Sequence, residues 1–272
     1  DSPVGAEVFR SDGTTAGTFA LIDATPGRNA ASRPASPWPV ATSSSLYFTT
    51  SSGGLDRLWT SDGTTPGTSA VPGAVFTQIY SLTATSNLVY FVSSNSGVSQ
   101  SLMRSDGTAS GTFTLPVSPN PQTLAYLAPS PQGLLAFLSY PGGGFQLWKT
   151  DGTSTGTRFV ASPPVSFNDG WDLPVLAGAV TVFAGSDAAT GSELWRTDGT
   201  LEGTVAIDLI PGPTGSAPRD FVQRVLTNYW MYQIRLGQPT PSLDQIAAPP
   251  RGPRGPMTAR GVAPIDKRPD RR

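Results

Sequence analysis

Two aspartates flanking a tryptophan are the residues whose types and spacing come nearest to catalysis. Asp169 and Asp172 form the only acidic pair outside the repeated motifs that lies near an aromatic residue, Trp171. A glycan hydrolase or lyase needs two suitably separated carboxyl groups. The segment also contains Asn-Asp-Gly, which is typical of an ordinary turn. We therefore predict no catalytic residue and treat Asp169, Trp171 and Asp172 as weak candidates for ligand binding.

A second set of carboxylates recurs in five copies of the motif DGTxxGT. Calcium takes six to eight oxygen ligands, usually with several carboxylates, whereas each copy offers one aspartate, so we predict no metal site. The motif instead predicts a hairpin turn, in which Asp accepts backbone N–H bonds, Gly adopts positive φ and the Thr hydroxyls tie the loop. The predicted turn residues are Asp12, Gly13, Thr14, Asp62, Gly63, Thr64, Asp106, Gly107, Thr108, Asp151, Gly152, Thr153, Asp198, Gly199 and Thr200.

The composition excludes several kinds of site. The 272 residues include no Cys and no His, which removes thiolate and imidazole chemistry. The net charge of −1 gives no electrostatic basis for binding nucleic acid, and no apolar run reaches the ~18 residues of a membrane-spanning helix. We predict no cofactor, no nucleic-acid partner and no membrane insertion.

The aspartates of the five motifs recur at spacings of 50, 44, 45 and 47 residues. An aromatic or β-branched run such as residues 88–92 and a Leu-Trp strand precede the motif, and a further strand follows it. A weaker apolar segment, such as residues 75–82 or 123–127, supplies a first strand. Four short strands in each repeat of 40–50 residues are typical of β-propeller blades. We predict an all-β propeller of about five four-stranded blades.

Two residue positions in the strand that precedes the motif carry large or charged side chains. The Trp position is occupied in turn by Phe9, Trp59, Met103, Trp148 and Trp195. Because Phe and Met replace Trp, we predict packing between blades rather than sugar recognition. The next position, on the opposite strand face, carries Arg10, Thr60, Arg104, Lys149 and Arg196. This ring of cations fits either anion binding or pairing with Asp of a neighbouring blade.

The repeat resembles the ELWxxDGT repeat family of bacterial secreted and surface proteins. Residues 193–200, Glu-Leu-Trp-Arg-Thr-Asp-Gly-Thr, match the pattern in full, and the other four copies depart at Glu or Trp but keep DGT. The resemblance covers about residues 1–220. It implies a secreted β-propeller, sometimes described as hyalin-like, without an agreed activity. The Asp-box of sialidase-like propellers is a looser match, because here the aromatic residue precedes the aspartate.

The two chain ends carry complementary parts of a repeat. Residues 1–22 hold only a third and a fourth strand, and residues 220–225 and 229–234 could supply the first two, which predicts a composite blade that closes the ring. The alternative is an open arc from a larger propeller. We assign residues 1–236 to the propeller domain. Residues 237–272, with eight Pro and a net charge of +4, are predicted to be a disordered tail.

Three functional hypotheses remain open at this level. The first is a non-catalytic binding or adhesion module, secreted or at the cell surface, with a protein or glycan partner. The second is a glycan hydrolase or lyase on a propeller scaffold. The third is a purely structural segment of a larger surface protein. Neither ligand nor oligomeric state follows from the sequence.

Overall fold

The computed structural model of this chain describes residues 7–23, 39–95, 100–117, 123–140, 144–163, 174–187 and 191–207, and positions 229, 233, 236 and 238. These residues contain 18 strands in five antiparallel sheets, named I to V along the chain. Sheet I has β1 (Phe9–Arg10) and β2 (Phe19–Ala20). Sheet II has β3 (Val40–Ala41), β4 (Leu46–Ser52), β5 (Leu55–Ser61) and β6 (Ser69–Phe76). Sheet III has β7 (Gln78–Ala84), β8 (Val89–Ser94), β9 (Gln100–Ser105) and β10 (Phe113–Thr114).

The remaining two sheets repeat the same plan. Sheet IV has β11 (Thr123–Ser130), β12 (Gly133–Ser139), β13 (Phe145–Thr150) and β14 (Arg158–Ala161). Sheet V has β15 (Val175–Ala177), β16 (Val180–Asp187), β17 (Gly191–Thr197) and β18 (Val205–Ile207). In each four-stranded sheet, consecutive strands are neighbours. Each sheet is therefore a simple meander.

The first strands of successive sheets contact one another: β3 contacts β7, β7 contacts β11, and β11 contacts β15. Sheets that meet along their first strands lie radially about a common axis. This arrangement is a β-propeller, and the predicted all-β fold is confirmed. Within the part of the chain that the structure describes, no helix is long and apolar enough to cross a membrane.

The hydrophobic core lies between adjacent sheets. Between sheets II and III, buried Tyr47 and Leu58 pack with Ile79 and Phe91. Comparable clusters join sheet III to sheet IV and sheet IV to sheet V. The rings of Phe137 and Phe183 meet edge to face across the last of these interfaces, with centroids 4.9 Å apart. Sheets III and IV are thus held by burying both of their faces.

The meander determines which connections share an end of the propeller. In the four-stranded sheets, each DGTxxGT segment joins the third strand to the fourth, so it lies at the same end as the turn between the first two strands. The turns between the first two strands also meet from one sheet to the next. The Ser43 N–H in the turn of sheet II donates to the Ser86 carbonyl in the turn of sheet III, at 2.8 Å. The next sheet's motif then packs on such a turn, with Gly152 beside Leu88. These loops therefore lie on one face of the propeller.

Two predicted strands differ from the structure. Residues 75–82, predicted as one first strand, contain the end of β6 and the start of β7. The strand predicted at residues 229–234 is wrong at its two described positions, Tyr229 and Gln233, which are helical. The Met, Gln, Leu and Arg residues of this stretch are good helix formers, so its aromatic residues alone do not specify a strand. The rest of the predicted composite blade lies outside the described residues. Among the described residues, β1 pairs only with β2. The 237–272 tail, apart from Gln238, also lies outside them.

Candidate functional site

The candidate binding residues Asp169, Trp171 and Asp172 lie outside the described residues. In the chain they belong to the connection between β14 and β15. The site that the structure does describe is the ring of DGTxxGT loops, each with the residue before it and the strands on either side.

Each loop is closed by a repeated set of short hydrogen bonds. In the sheet IV loop, Asp151 Oδ1 accepts the Thr153 N–H at 2.8 Å and the Thr153 hydroxyl at 2.7 Å. The Gly156 N–H then donates to Thr153 Oγ1 at 2.9 Å, and the Thr157 hydroxyl donates to the Thr153 carbonyl at 2.7 Å. The other four loops have the same four bonds. These bonds give each DGTxxGT segment the geometry of a closed hairpin turn.

The residue before each aspartate completes the loop. Thr150 Oγ1 accepts the Gly152 N–H at 3.0 Å and lies 2.7 Å from Thr157 Oγ1. Because the Thr157 hydroxyl already donates to a carbonyl, Thr150 is the donor of this second bond. Ser or Thr occupies this position in all five repeats. This position is not among the predicted turn residues, although its restriction to Ser and Thr is a visible signal in the sequence.

The two glycines of the motif are required for different reasons. The first has positive φ in every loop, between 81° and 91°, a region that side-chain-bearing residues avoid. The second has ordinary φ, but a Cβ at Gly156 would lie 2.0 Å from Asp151 Oδ1. The aspartate therefore folds back over a surface that only glycine leaves free.

The hydrogen bonds favour the charged form of the loop aspartates. The Thr hydroxyl bond, followed by the Thr N–H bond, holds the pKa of Asp12, Asp62 and Asp151 below the ordinary value of 3.8. At Asp198 partial burial opposes this effect, yet the bonds from Thr200 still lower its pKa. Among the described residues, no group of three or more acidic side chains is placed to hold a metal ion.

Two of the cations at this position link one sheet to the next through backbone carbonyls. Arg10 of sheet I donates to the Gly63 carbonyl of sheet II at 3.0 Å, and Arg104 of sheet III donates to the Gly152 carbonyl of sheet IV at 3.3 Å. Arg104 also pairs with Asp106 of its own loop, at 3.1 Å. Of the two alternatives considered, pairing with Asp of a neighbouring blade does not describe Arg10 and Arg104, whose partner in the neighbouring blade is a glycine carbonyl.

The Trp position packs between sheets, as predicted. Trp148 of sheet IV is 8% exposed and packs against the buried cluster shared with sheet III. Met103 occupies the same place toward sheet II, and Trp195 packs on the cluster between sheets IV and V. Phe9 of the two-stranded sheet I is 49% exposed. Met103, Trp148 and Trp195 therefore pack between sheets as predicted, whereas the exposed Phe9 departs from the prediction.

Another acidic side chain is used inside the scaffold. Asp56, at the start of β5, is 6% exposed. Its Oδ2 accepts the backbone N–H of Ile79 in the next sheet at 2.8 Å. This carboxylate joins sheets II and III.

A cavity of about 240 Å³ lies at the loop end of sheet IV. Ser130, Gln132 and Leu135 line it together with Lys149 and Arg158. Gly199 of the sheet V loop lies beside Gln132, Leu135 and Lys149. Sequence reasoning missed Arg158, which stands at a position occupied by Phe in two other repeats, Phe19 and Phe113. Aligning the residues after the motif would have revealed it.

A second cavity, also of about 240 Å³, lies on sheet II. It is lined by Thr50, Ser52, Leu55, Arg57, Trp59 and Val75. The Trp59 indole N–H donates to Thr50 Oγ1 at 2.9 Å, and its ring stacks on Phe48 with centroids 6.2 Å apart. The indole is thereby committed to its own sheet.

Comparison with known proteins gives distant similarity in fold. No protein-family model and no curated protein matches the chain. Among solved structures, TolB from Acinetobacter baumannii is 17% identical, with 71% of this chain and 45% of that chain covered and a TM-score of 0.42. A puromycin hydrolase is 15% identical, with 74% and 32% covered and a TM-score of 0.47. An engineered GH43 glycoside hydrolase is 14% identical, with 79% and 49% covered and a TM-score of 0.33. The chain spans less than half the length of each of these structures.

Proposed function

We propose that this chain is a non-catalytic extracellular binding or scaffold module built from DGTxxGT repeats. The supporting observation is the use made of the repeat's reactive side chains. The aspartates accept bonds inside their own loops, Arg10 and Arg104 donate to glycine carbonyls of the next sheet, and Trp148 and Trp195 pack between sheets. Side chains committed in this way stabilise a display surface rather than perform a reaction.

We further propose membership of the ELWxxDGT repeat proteins and a secreted or cell-surface location, with a protein or glycan partner. The complete match of residues 193–200 supports the first part. The location follows only from the resemblance. Because the repeated loops hold the scaffold, the other connections between strands can carry residues that differ between blades, as a recognition surface requires.

Two other functions are kept as alternatives. A glycan hydrolase or lyase would use Asp169 and Asp172, and a structural segment would bind nothing. No contact among the described residues favours either over a binding module.

A glycan array combined with a reducing-sugar assay separates the three functions. The proposal expects saturable binding of a glycan or a cell-surface protein without release of reducing ends. Release that disappears in Asp169→Asn and Asp172→Asn variants, with melting unchanged, would establish an enzyme instead. Absence of binding on both glycan and surface-protein arrays would leave the structural segment and overturn the proposal.

A further inference from the structure

We propose that the cavity at the loop end of sheet IV binds an oxyanion, a sulfate or carboxylate group, between Lys149 and Arg158. The inference deepens the proposed function and rests on it, because it names the chemistry of a ligand that a binding module would carry.

The repeats themselves provide the reference for this site. In sheet I the cation Arg10 lies across the strands from Phe19, with its guanidinium carbon 5.7 Å from the ring centroid. In sheet III Arg104 faces Phe113 in the same way, at 4.8 Å. A cation over an aromatic face is a favourable cross-strand pair.

Sheet IV replaces this pair with two like charges. Lys149 of β13 is paired directly with Arg158 of β14. Like charges placed opposite each other across two strands are destabilising. The equivalent pairs elsewhere are Thr60 with Ser69 and Arg196 with Val205, so a pair of cations is particular to this sheet. An anion lying between the two cations would turn this repulsion into attraction.

The surroundings of the pair suit such an anion. Both cations line the cavity of about 240 Å³, which is large enough for a sulfate-sized group with water. Ser130 and Gln132 add a hydroxyl and an amide that can donate hydrogen bonds. A guanidinium binds two oxygens of an oxyanion in parallel, and an ammonium adds a point charge.

The neighbouring acidic group does not neutralise the pair. Asp151 lines the same cavity, and the charge of Arg158 contributes to lowering its pKa, after the two bonds from Thr153. Its Oδ1 is occupied by those bonds, and neither cation forms an ion pair with it within 4 Å in the described structure. Lys149, Arg158 and Asp151 therefore carry a net charge of +1 together.

The matched variant is Arg158→Phe, which restores the cation–aromatic pair of sheets I and III and is therefore compatible with the fold. Melting is measured in sodium sulfate and in sodium chloride at equal ionic strength. Because sulfate stabilises proteins in general, the diagnostic quantity is the difference between the whole chain and Arg158→Phe. Arg57→Gln, at an exposed arginine of sheet II, is the control.

We expect a saturable rise in melting temperature with sulfate in the unaltered chain and in Arg57→Gln, and none beyond the general effect in Arg158→Phe or Lys149→Gln. Immobilised dextran sulfate and polygalacturonate distinguish a sulfate ester from a carboxylate, with neutral dextran as the blank. Each cavity variant should weaken binding to the preferred polymer about tenfold, the loss expected for charged hydrogen bonds. Equal sulfate effects in all variants, or polymer binding unchanged in Arg158→Phe, would overturn the anion site. Retained binding of another partner on the arrays would then leave the proposed function standing.

Discussion

Arg104 of sheet III donates a hydrogen bond from Nη1 to the carbonyl of Gly152 in sheet IV, at 3.3 Å. The same guanidinium bonds Gly111 and Asp106 of its own loop and lies over the ring of Phe113. One side chain therefore connects two hairpin loops of adjacent sheets. The contact turns a local turn motif into part of the bonding between blades.

Replacing this arginine should loosen the interface between sheets III and IV. Arg104→Met keeps the apolar stem but leaves the Gly152 carbonyl without its donor, so we expect a loss of about 1–3 kcal/mol in the free energy of unfolding. Urea denaturation measures it, with the exposed arginine variant Arg57→Met as control. Equal midpoints for the two variants would show that the link between sheets contributes nothing.

The second glycine of the motif should be nearly irreplaceable. A Cβ at Gly156 would collide with the Asp151 carboxylate at 2.0 Å, so Gly156→Ala must displace the side chain that closes the loop. We expect a loss of about 2–3 kcal/mol from broken loop bonds. Ser154→Ala, at an exposed position of the same loop, should change the melting temperature little. A tolerated Gly156→Ala would mean that the aspartate does not fold back over it.

The loop bonds could be predicted from the sequence, and the bonds between sheets could not. Asp151, Thr153 and Thr157 lie within seven residues, so their partners follow from turn chemistry. The partner of Arg104 is a backbone carbonyl 48 residues away, and a carbonyl carries no signal in residue type. Periodicity likewise predicted the strand pattern, because alternation is a local property. The helical backbone at Tyr229 and Gln233 was not foreseen, since aromatic residues occur in both structures.

Acid should weaken the scaffold through the loop aspartates. The bonds from Thr64 lower the pKa of Asp62 in the folded chain, so the folded state binds protons less readily than the unfolded state. Its contribution is fully present above the ordinary value of 3.8 and is lost as pH falls below that value through the folded pKa. Asp62→Asn keeps an oxygen acceptor but cannot titrate there. Its melting temperature should fall less between pH 5 and pH 2 than that of the unaltered chain, and parallel curves would refute this origin.

Trp148 should contribute strongly to packing. It is 8% exposed and its ring meets Phe159 edge to face, with centroids 5.9 Å apart. We expect Trp148→Ala to lose about 3–5 kcal/mol in the free energy of unfolding. Removing residues 240–272, which carry no aromatic side chain, should cost little. Similar losses for the two changes would contradict the packing role.

The central claim is that the motif's aspartates act as hydrogen-bond acceptors of a scaffold and not as charged ligands of a site. The most direct test is the free energy of unfolding at pH 7 of two fivefold variants, with Asn or with Ala at residues 12, 62, 106, 151 and 198. Asn retains an oxygen where Oδ1 accepts the Thr bonds but lacks the charge that strengthens them, so the account predicts a folded chain with a smaller loss than the Ala variant, which should lose about 1 kcal/mol or more per loop. Equal losses in the Asn and Ala variants would show that the charge itself is needed, and no loss in either would show that the loops do not hold the fold.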